Sequence, residues 1–318
     1  MPETTTRQTD RTQACLRGLR YIYQHSLKGE NFEDWAGDYL WCFHCISSTS
    51  RDPGLKQLAL ELGQESARRW MDLEQEFPPL AESGEVAYYV SLLDVASRLG
   101  VDNPPLREHV VQGIPRFTAR DYLGFDPRVE APVASPARSR YDMWCDALVL
   151  TYTADGFGAP LGARYCDVLR WLPQMRPYRG AEGGANPEFR DITLAITHLV
   201  YTLNDYNRYR LSPEWLPEEF EFLKSNIKEP LAAGDPELLG EFVDSLRCFG
   251  VEADDGALAG SVDYLLASQH PDGSWGDPGI TDPHKQYHTA WTAIDALRDY
   301  DWQDRPSWPE AVVKCFAR

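Results

Sequence analysis

The sequence predicts an all-α protein built as a closed ring of six helical hairpins. Apolar residues recur at helical spacing along the whole chain, and the Val/Ile/Thr-rich runs are too few for a sheet. Apolar stretches alternate with more strongly charged helical stretches. One position in each apolar stretch is taken as equivalent, and successive positions are 47, 57, 49, 47 and 50 residues apart. These positions are Trp41, Tyr88, Cys145, Leu194, Glu241 and Trp291.

Each repeat is predicted to be one hairpin of an outer and an inner helix. The charged outer stretches include 54–75, 161–174 and 254–268. Gly and Pro residues mark the joints, and the proline-rich segment 124–140 is predicted to be an irregular, exposed insertion. Six such hairpins bury their apolar faces best when the ring closes, whereas an open solenoid is the alternative. The expected organisation is a single domain over residues 1–318, with hairpins near 11–50, 54–100, 105–155, 160–207, 217–250 and 254–300.

Charge and composition restrict the partners. The 31 Lys and Arg face 49 Asp and Glu, which gives a net charge of −18 and disfavours nucleic acids and anionic membrane surfaces. The polar start of the chain and the absence of a long apolar run predict a cytoplasmic protein without a transmembrane segment. The seven scattered cysteines suit reduced thiols, and the isolated Cys42–Cys45 pair does not favour a zinc finger. The expected partner is a small-molecule substrate in the central cavity.

Segment 264–297 carries a recognisable pattern. It includes Gln269-His270-Pro271-Asp272-Gly273-Ser274-Trp275-Gly276 and then Tyr287-His288-Thr289-Ala290-Trp291. The first part resembles the QW repeat of squalene–hopene and class II terpene cyclases, and the second resembles an inner helix of protein prenyltransferase β subunits. The resemblance implies an α/α toroid in which the Gln and Trp tie the end of an outer helix to the start of the next inner helix.

The resemblance also implies acid-initiated cyclisation or rearrangement of a small, largely apolar substrate, although the chain lacks a convincing DxDD acid. Helical spacing turns one face of each inner helix to the cavity of the ring. The candidate catalytic residues on these faces are Asp142, Asp146, Asp244, His198 and His288. The candidate substrate-binding residues, most of them aromatic and able to face developing positive charge, are Trp41, Tyr88, Tyr89, Tyr201, Trp291 and Asp295.

Two other enzyme classes stay open. His284 and His288 are four residues apart and can face one metal if the helix begins before His284, with Asp282 as its cap and Pro283 as its first residue. Together with His198 and a carboxylate they would suit iron, zinc or copper.

Toroids of this kind also serve as glycoside hydrolases or lyases, in which two carboxylates act across a sugar. A non-enzymatic binding role predicts an apolar cavity instead.

Overall fold

The computed structural model describes residues 2–73 and 77–303, and in this part of the chain every regular element is helical. The all-α prediction is confirmed. The α-helices are α1 (Pro2–Ser26), α2 (Asn31–Thr49), α3 (Pro53–Leu73), α4 (Ser83–Arg98), α5 (Pro104–Gly113), α6 (Ala119–Leu123), α7 (Arg140–Phe157), α8 (Tyr165–Leu169), α9 (Leu172–Met175), α10 (Phe189–Leu203), α11 (Pro217–Asn226), α12 (Lys228–Ala233), α13 (Pro236–Cys248), α14 (Gly256–Ser268) and α15 (Pro283–Leu297).

Local signals in the sequence explain where the helices begin and end. Polar side chains at several N-caps accept a hydrogen bond from a backbone N–H of the first turn, which would otherwise lack a partner. These N-caps are Asn103, Thr118, Ser139, Asp235 and Asp282. Glycines in the left-handed conformation end α6, α7 and α12, because only a residue without Cβ adopts it at little cost.

The chain divides into two compact units, and the boundary falls inside α3. In the described part of the chain, unit 1 contains residues 2–66 and 204–303, and unit 2 contains residues 67–203. In unit 1, α15 packs against α13, α1 and α2. In unit 2, α7 packs against α10, α4 and α8. The closed ring and the single domain stay predictions, and residues 304–318 lie outside the described part.

The outer helix predicted over 161–174 is wrong. The structure has two short helices there, α8 and α9, and Pro173 lies in the first turn of the second. A proline lacks the backbone N–H that a continuous helix needs and its ring collides with the carbonyl four residues earlier, here that of Leu169. Between Gly124 and Ser139 the described chain has no helix, and Val129 and Val133 are exposed.

The segment that resembles a QW repeat connects different helices from those expected. Gln269 Nε2 donates to the carbonyl oxygens of Ala14 at 2.9 Å and Gly273 at 3.1 Å, and Trp275 Nε1 donates to that of Leu265 at 2.7 Å. The pair therefore ties the end of α14 to α1, rather than to the start of α15. Gly18 of α1 makes this possible, because a Cβ there would lie 2.7 Å from the Trp275 ring.

Among the described residues, no helix combines the length and the apolar character needed to cross a membrane.

Candidate functional site

Two histidines stack on the first two turns of α15, in unit 1. Asp282 caps the helix by accepting from the His284 N–H at 3.0 Å, and Pro283 is its first residue. His284 is therefore helical and lies one turn before His288, on the same face. The two imidazole rings are 5.0 Å apart at their centroids and nearly parallel, at 18°. The helix therefore begins before His284, as required for the two histidines to lie on one side.

His288 is the inner member of the pair and is bound to a carboxylate. Its Nδ1–H donates to Glu237 Oε1 of α13 at 3.0 Å, and the side chains are only 15% and 12% exposed. Burial alone would lower the pKa of His288. The hydrogen bond to Glu237 and the negative charges of Glu237, Glu241 and Asp38 outweigh it, so the pKa is raised above 6.5. His288 therefore holds its proton more tightly than an ordinary histidine.

His284 is the outer member of the pair, and its pKa is shifted in the opposite direction. Burial and the positive charge of His288 lower its pKa below 6.5, although Asp38 Oδ2 lies 3.8 Å from Nε2. The ring also contacts Trp35 of α2, with centroids 4.8 Å apart. The side chains of His284 and Asp38 are 35% and 43% exposed, so this end of the cluster is open to solvent.

A hydrogen-bond network fixes the carboxylate beside His284. The Tyr287 hydroxyl donates to Asp38 Oδ2 at 2.6 Å, and its ring packs on Tyr39 at 4.5 Å. The buried His25 accepts from the Tyr39 hydroxyl at 2.8 Å and donates from Nε2 to Gln286 Oε1 at 2.7 Å. Helices α1, α2 and α15 are thereby held together around the cluster, which keeps Asp38 in place.

Two tryptophans predicted to bind substrate lie in unit 1. Trp291 contacts the His288 ring edge to face, with centroids 5.9 Å apart. Trp41 is 7% exposed and stacks on Tyr206 at 5.1 Å. Trp291 therefore belongs to the histidine cluster, whereas Trp41 is largely covered by its own neighbours.

Asp244 and Asp295 are parts of a buried ionic network. Asp244 is 1% exposed and accepts hydrogen bonds from the Tyr300 hydroxyl and from Asn207 Nδ2, the latter at 2.8 Å. Burial, together with the charge of Asp295, raises the pKa of Asp244 to about 7. Asp295 accepts from Arg298 Nε at 2.7 Å, and burial raises its pKa too. Both carboxylates are therefore occupied by partners from the segments that follow α10 and α15.

Unit 2 has a cavity of about 680 Å³ that brings two candidate catalytic residues, Asp146 and His198, together. Cys145, Asp146 and His198 line it, with apolar neighbours such as Met143 and Leu150. Arg138 pairs with Asp146 and also with Asp142. The Asp146 side chain is 66% exposed to this open cavity, yet enough protein surrounds the carboxyl to raise its pKa. His198 is fixed through Nδ1, which donates to the Leu194 carbonyl at 2.8 Å.

The three remaining predicted tyrosines are placed in unit 2. Tyr89 is 9% exposed and packs against Trp70 and Tyr88, and Tyr201 contacts His198 with centroids 5.7 Å apart. These three are absent from the residues that line the cavity.

Three residues of the cluster were missing from the predicted site, namely Trp35, Asp38 and Glu237. Asp38 follows Trp35 by three residues, but the backbone of α2 is non-helical at Trp35, and Glu237 is one turn before Glu241 on α13. Helical spacing predicts that Asp38 and Glu237 face the cavity, although neither is among the candidate catalytic or binding residues, and it does not place Trp35. It could not show which of these faces meets α15, because pairing between distant helices depends on packing.

No group of three or more His, Cys, Asp or Glu side chains within residues 2–73 and 77–303 is arranged to hold a metal ion. The predicted set of His198, His284 and His288 draws its members from two units, and the structure gives no support to iron, zinc or copper. Compared with known proteins, the chain matches no family model, no curated protein and no solved structure. The likeness to terpene cyclases and prenyltransferases stays a resemblance.

Proposed function

We propose that this chain is an enzyme that transfers protons on a small-molecule substrate, with His284 and His288 as its acid–base pair. The observation that carries the proposal is the pair itself. Two stacked histidines have pKa values displaced to opposite sides of 6.5, so that at a pH between the two values one is a proton donor while its neighbour is an acceptor.

The roles follow from the surroundings of each ring. His288 keeps its proton through Glu237 and acts as the general acid, with Nε2 as the nitrogen not bound to Glu237. Between the two pKa values His284 is neutral, and because it is more exposed than His288 it acts as the general base. A proton taken from one atom of the substrate by His284 is balanced by a proton given to another atom by His288. Isomerisation and elimination are the reaction classes that need this pair.

Acid-initiated cyclisation is the second candidate, and one observation favours it. Asp146 has a raised pKa and lines a cavity of about 680 Å³ whose wall includes apolar residues, as an apolar substrate requires. Arg138 opposes this role, because its charge stabilises the ionised carboxylate. A glycan-active enzyme needs two opposed carboxylates, whereas Asp146 is the one carboxylate among the described residues that line this cavity.

Deuterium incorporation tests the proposed function without knowledge of the substrate. Pools of carbonyl- and alkene-containing small molecules are incubated with the full chain in deuterated water and analysed by mass spectrometry. The proposal predicts a compound that gains carbon-bound deuterium with the wild type but not with His284→Gln or His288→Gln. Asp146→Asn is the matched variant for the second candidate and should leave this exchange unchanged.

The outcomes separate the two candidates. Exchange or cyclisation that persists in both histidine variants and disappears in Asp146→Asn would transfer the activity to the cavity of unit 2. Wild-type protein that labels no compound in the pools would count against both forms of proton transfer. Circular dichroism of each variant shows whether its helices are intact.

A further inference from the structure

A cavity of unit 1 concentrates positive charge in a chain whose net charge is −18. It has a volume of about 460 Å³ and lies where α2, α13 and α15 end, whereas the histidine cluster lies where these helices begin. Five arginines line it against three carboxylates, a formal surplus of two positive charges. The arginines are Arg7, Arg11, Arg51, Arg210 and Arg247.

Two of these arginines are buried and held in place by the backbone. Arg11 donates from Nε to the Leu297 carbonyl at 2.8 Å, and Arg247 donates from Nη1 to the Ala296 carbonyl at 3.1 Å. Both also pair with the same carboxylate, Asp299. One carboxylate cannot neutralise two guanidinium groups, so this wall keeps positive charge in a fixed position.

A third arginine has its guanidinium available. Arg51 is exposed at the mouth of the cavity, and its backbone N–H donates to the Asp299 carbonyl at 2.7 Å. Within the part of the chain that the structure describes, its side chain forms no ion pair. Arg7 and Arg210, by contrast, pair with Asp263 and Glu252.

An aromatic surface lies beside these charges. Trp302 lines the cavity and contacts the Tyr300 ring, with centroids 4.7 Å apart. The Arg210 guanidinium lies 5.6 Å from the Trp302 ring centroid. A volume of this size exceeds that of a bare inorganic anion and falls in the range of small-molecule sites. The arginines suit a group with several negatively charged oxygens, whereas the indole suits a planar organic group.

We propose that this cavity binds a small organic phosphate, with the phosphate against Arg11, Arg51 and Arg247 and the organic part against Trp302. The site is independent of the acid–base pair.

The test is a calorimetric titration of the full chain with phenyl phosphate, compared with benzoate, which has the same ring and a single negative charge. Phenyl phosphate should bind the wild type, and benzoate should bind about tenfold more weakly because it offers less charge to the arginines. Arg51→Gln should weaken phenyl phosphate about tenfold. Arg20→Gln replaces another exposed arginine of unit 1 and is the control, with unchanged affinity.

Three results would overturn the proposal. They are no binding of phenyl phosphate to the wild type at millimolar concentration, equal binding to the Arg51→Gln variant, and equal affinity for benzoate. Because Arg51 is exposed, the variant should fold, and a second variant, Arg210→Gln, gives a further check. It should also weaken binding, since it removes the guanidinium beside Trp302.

Discussion

Ionisable side chains have different kinds of partner in the histidine cluster of unit 1 and in the cavity of unit 2. In unit 1, Glu237 of α13 accepts from His288, whereas Asp38 of α2 accepts from Tyr287 and lies 3.8 Å from His284 Nε2, so the two histidines lie beside different carboxylates. In unit 2, one exposed arginine pairs with both Asp142 and Asp146. A buried carboxylate bound to one histidine shifts its pKa away from that of the neighbouring histidine, whereas solvent weakens the effect of an exposed ion pair.

The largest expected effect is the loss of stability when Arg298 of unit 1 is replaced, compared with replacement of Arg138 of unit 2. Arg298 is fully buried, pairs with Asp295 and donates to Thr49 Oγ1 at 2.9 Å. Arg298→Met would leave a buried carboxylate without its partner, which should lower the free energy of unfolding by about 3–5 kcal/mol. Urea unfolding followed by circular dichroism measures this loss.

Arg138→Met is the matched variant in unit 2. The Arg138 side chain is 42% exposed, so the free energy of unfolding should fall by only about 0–1 kcal/mol. Equal losses in the two variants would show that burial does not distinguish the two networks.

The pH dependence of stability should distinguish Asp244 from Asp146, the carboxyl groups of the two units whose pKa values are raised. Burial raises the pKa of Asp244 from 3.8 to about 7, so the folded state binds this proton more tightly than the unfolded state. Its contribution to stability is complete below about pH 4 and is lost as the pH rises through about 7. Asp244→Asn should flatten the fall in melting temperature over this range. Asp146→Asn should flatten it less, because Asp146 is open to solvent.

The arginine of unit 2 should control how easily Asp146 is protonated. The Arg138 charge lowers the pKa of Asp146, against the effect of burial, which raises it. Arg138→Gln should therefore raise this pKa further, as carbon-detected NMR of the carboxyl group can measure. An unchanged pKa would mean that the ion pair does not form in solution, and the cyclisation candidate would then lose its main obstacle.

A smaller effect is expected within the histidine cluster. Glu237→Gln removes the negative charge beside His288 and should lower the pKa of His288 by about 1. Glu229→Gln, an exposed change on α12, is the control and should leave this pKa unchanged. If both variants behaved alike, Glu237 would not be the group that holds the proton on His288.

The sequence predicted local features better than long-range ones. The caps at Asp282 and the spacing of His284 and His288 depend on neighbours within one helical turn, and the structure contains both. The continuous helix over 161–174 is wrong because Pro173 interrupts the helical stretch, and the pattern of alternating stretches takes no account of a single proline. Closure of the ring depends on contacts between helices distant in sequence, and spacing along a single helix does not determine them.

The candidate site shows the same limit. His288, Trp291 and Asp146 were found by their position on helix faces, but Asp244 and Asp295 have the same spacing and lie in a buried network instead. What separates these cases is the partner that each carboxylate meets, Asn207 and Tyr300 for Asp244 and Arg298 for Asp295. Such partners come from loops whose course has no periodic signal.

The central claim is that neighbouring histidines of α15 have pKa values on opposite sides of 6.5. Proton-detected NMR titration of the wild type, with resonances assigned from His284→Gln and His288→Gln, measures both values directly. We expect His284 to titrate below 6.5 and His288 above it, and we expect His288→Gln to raise the pKa of His284 because a neighbouring positive charge is removed. Two histidines that titrate together, or in the reverse order, would contradict the account.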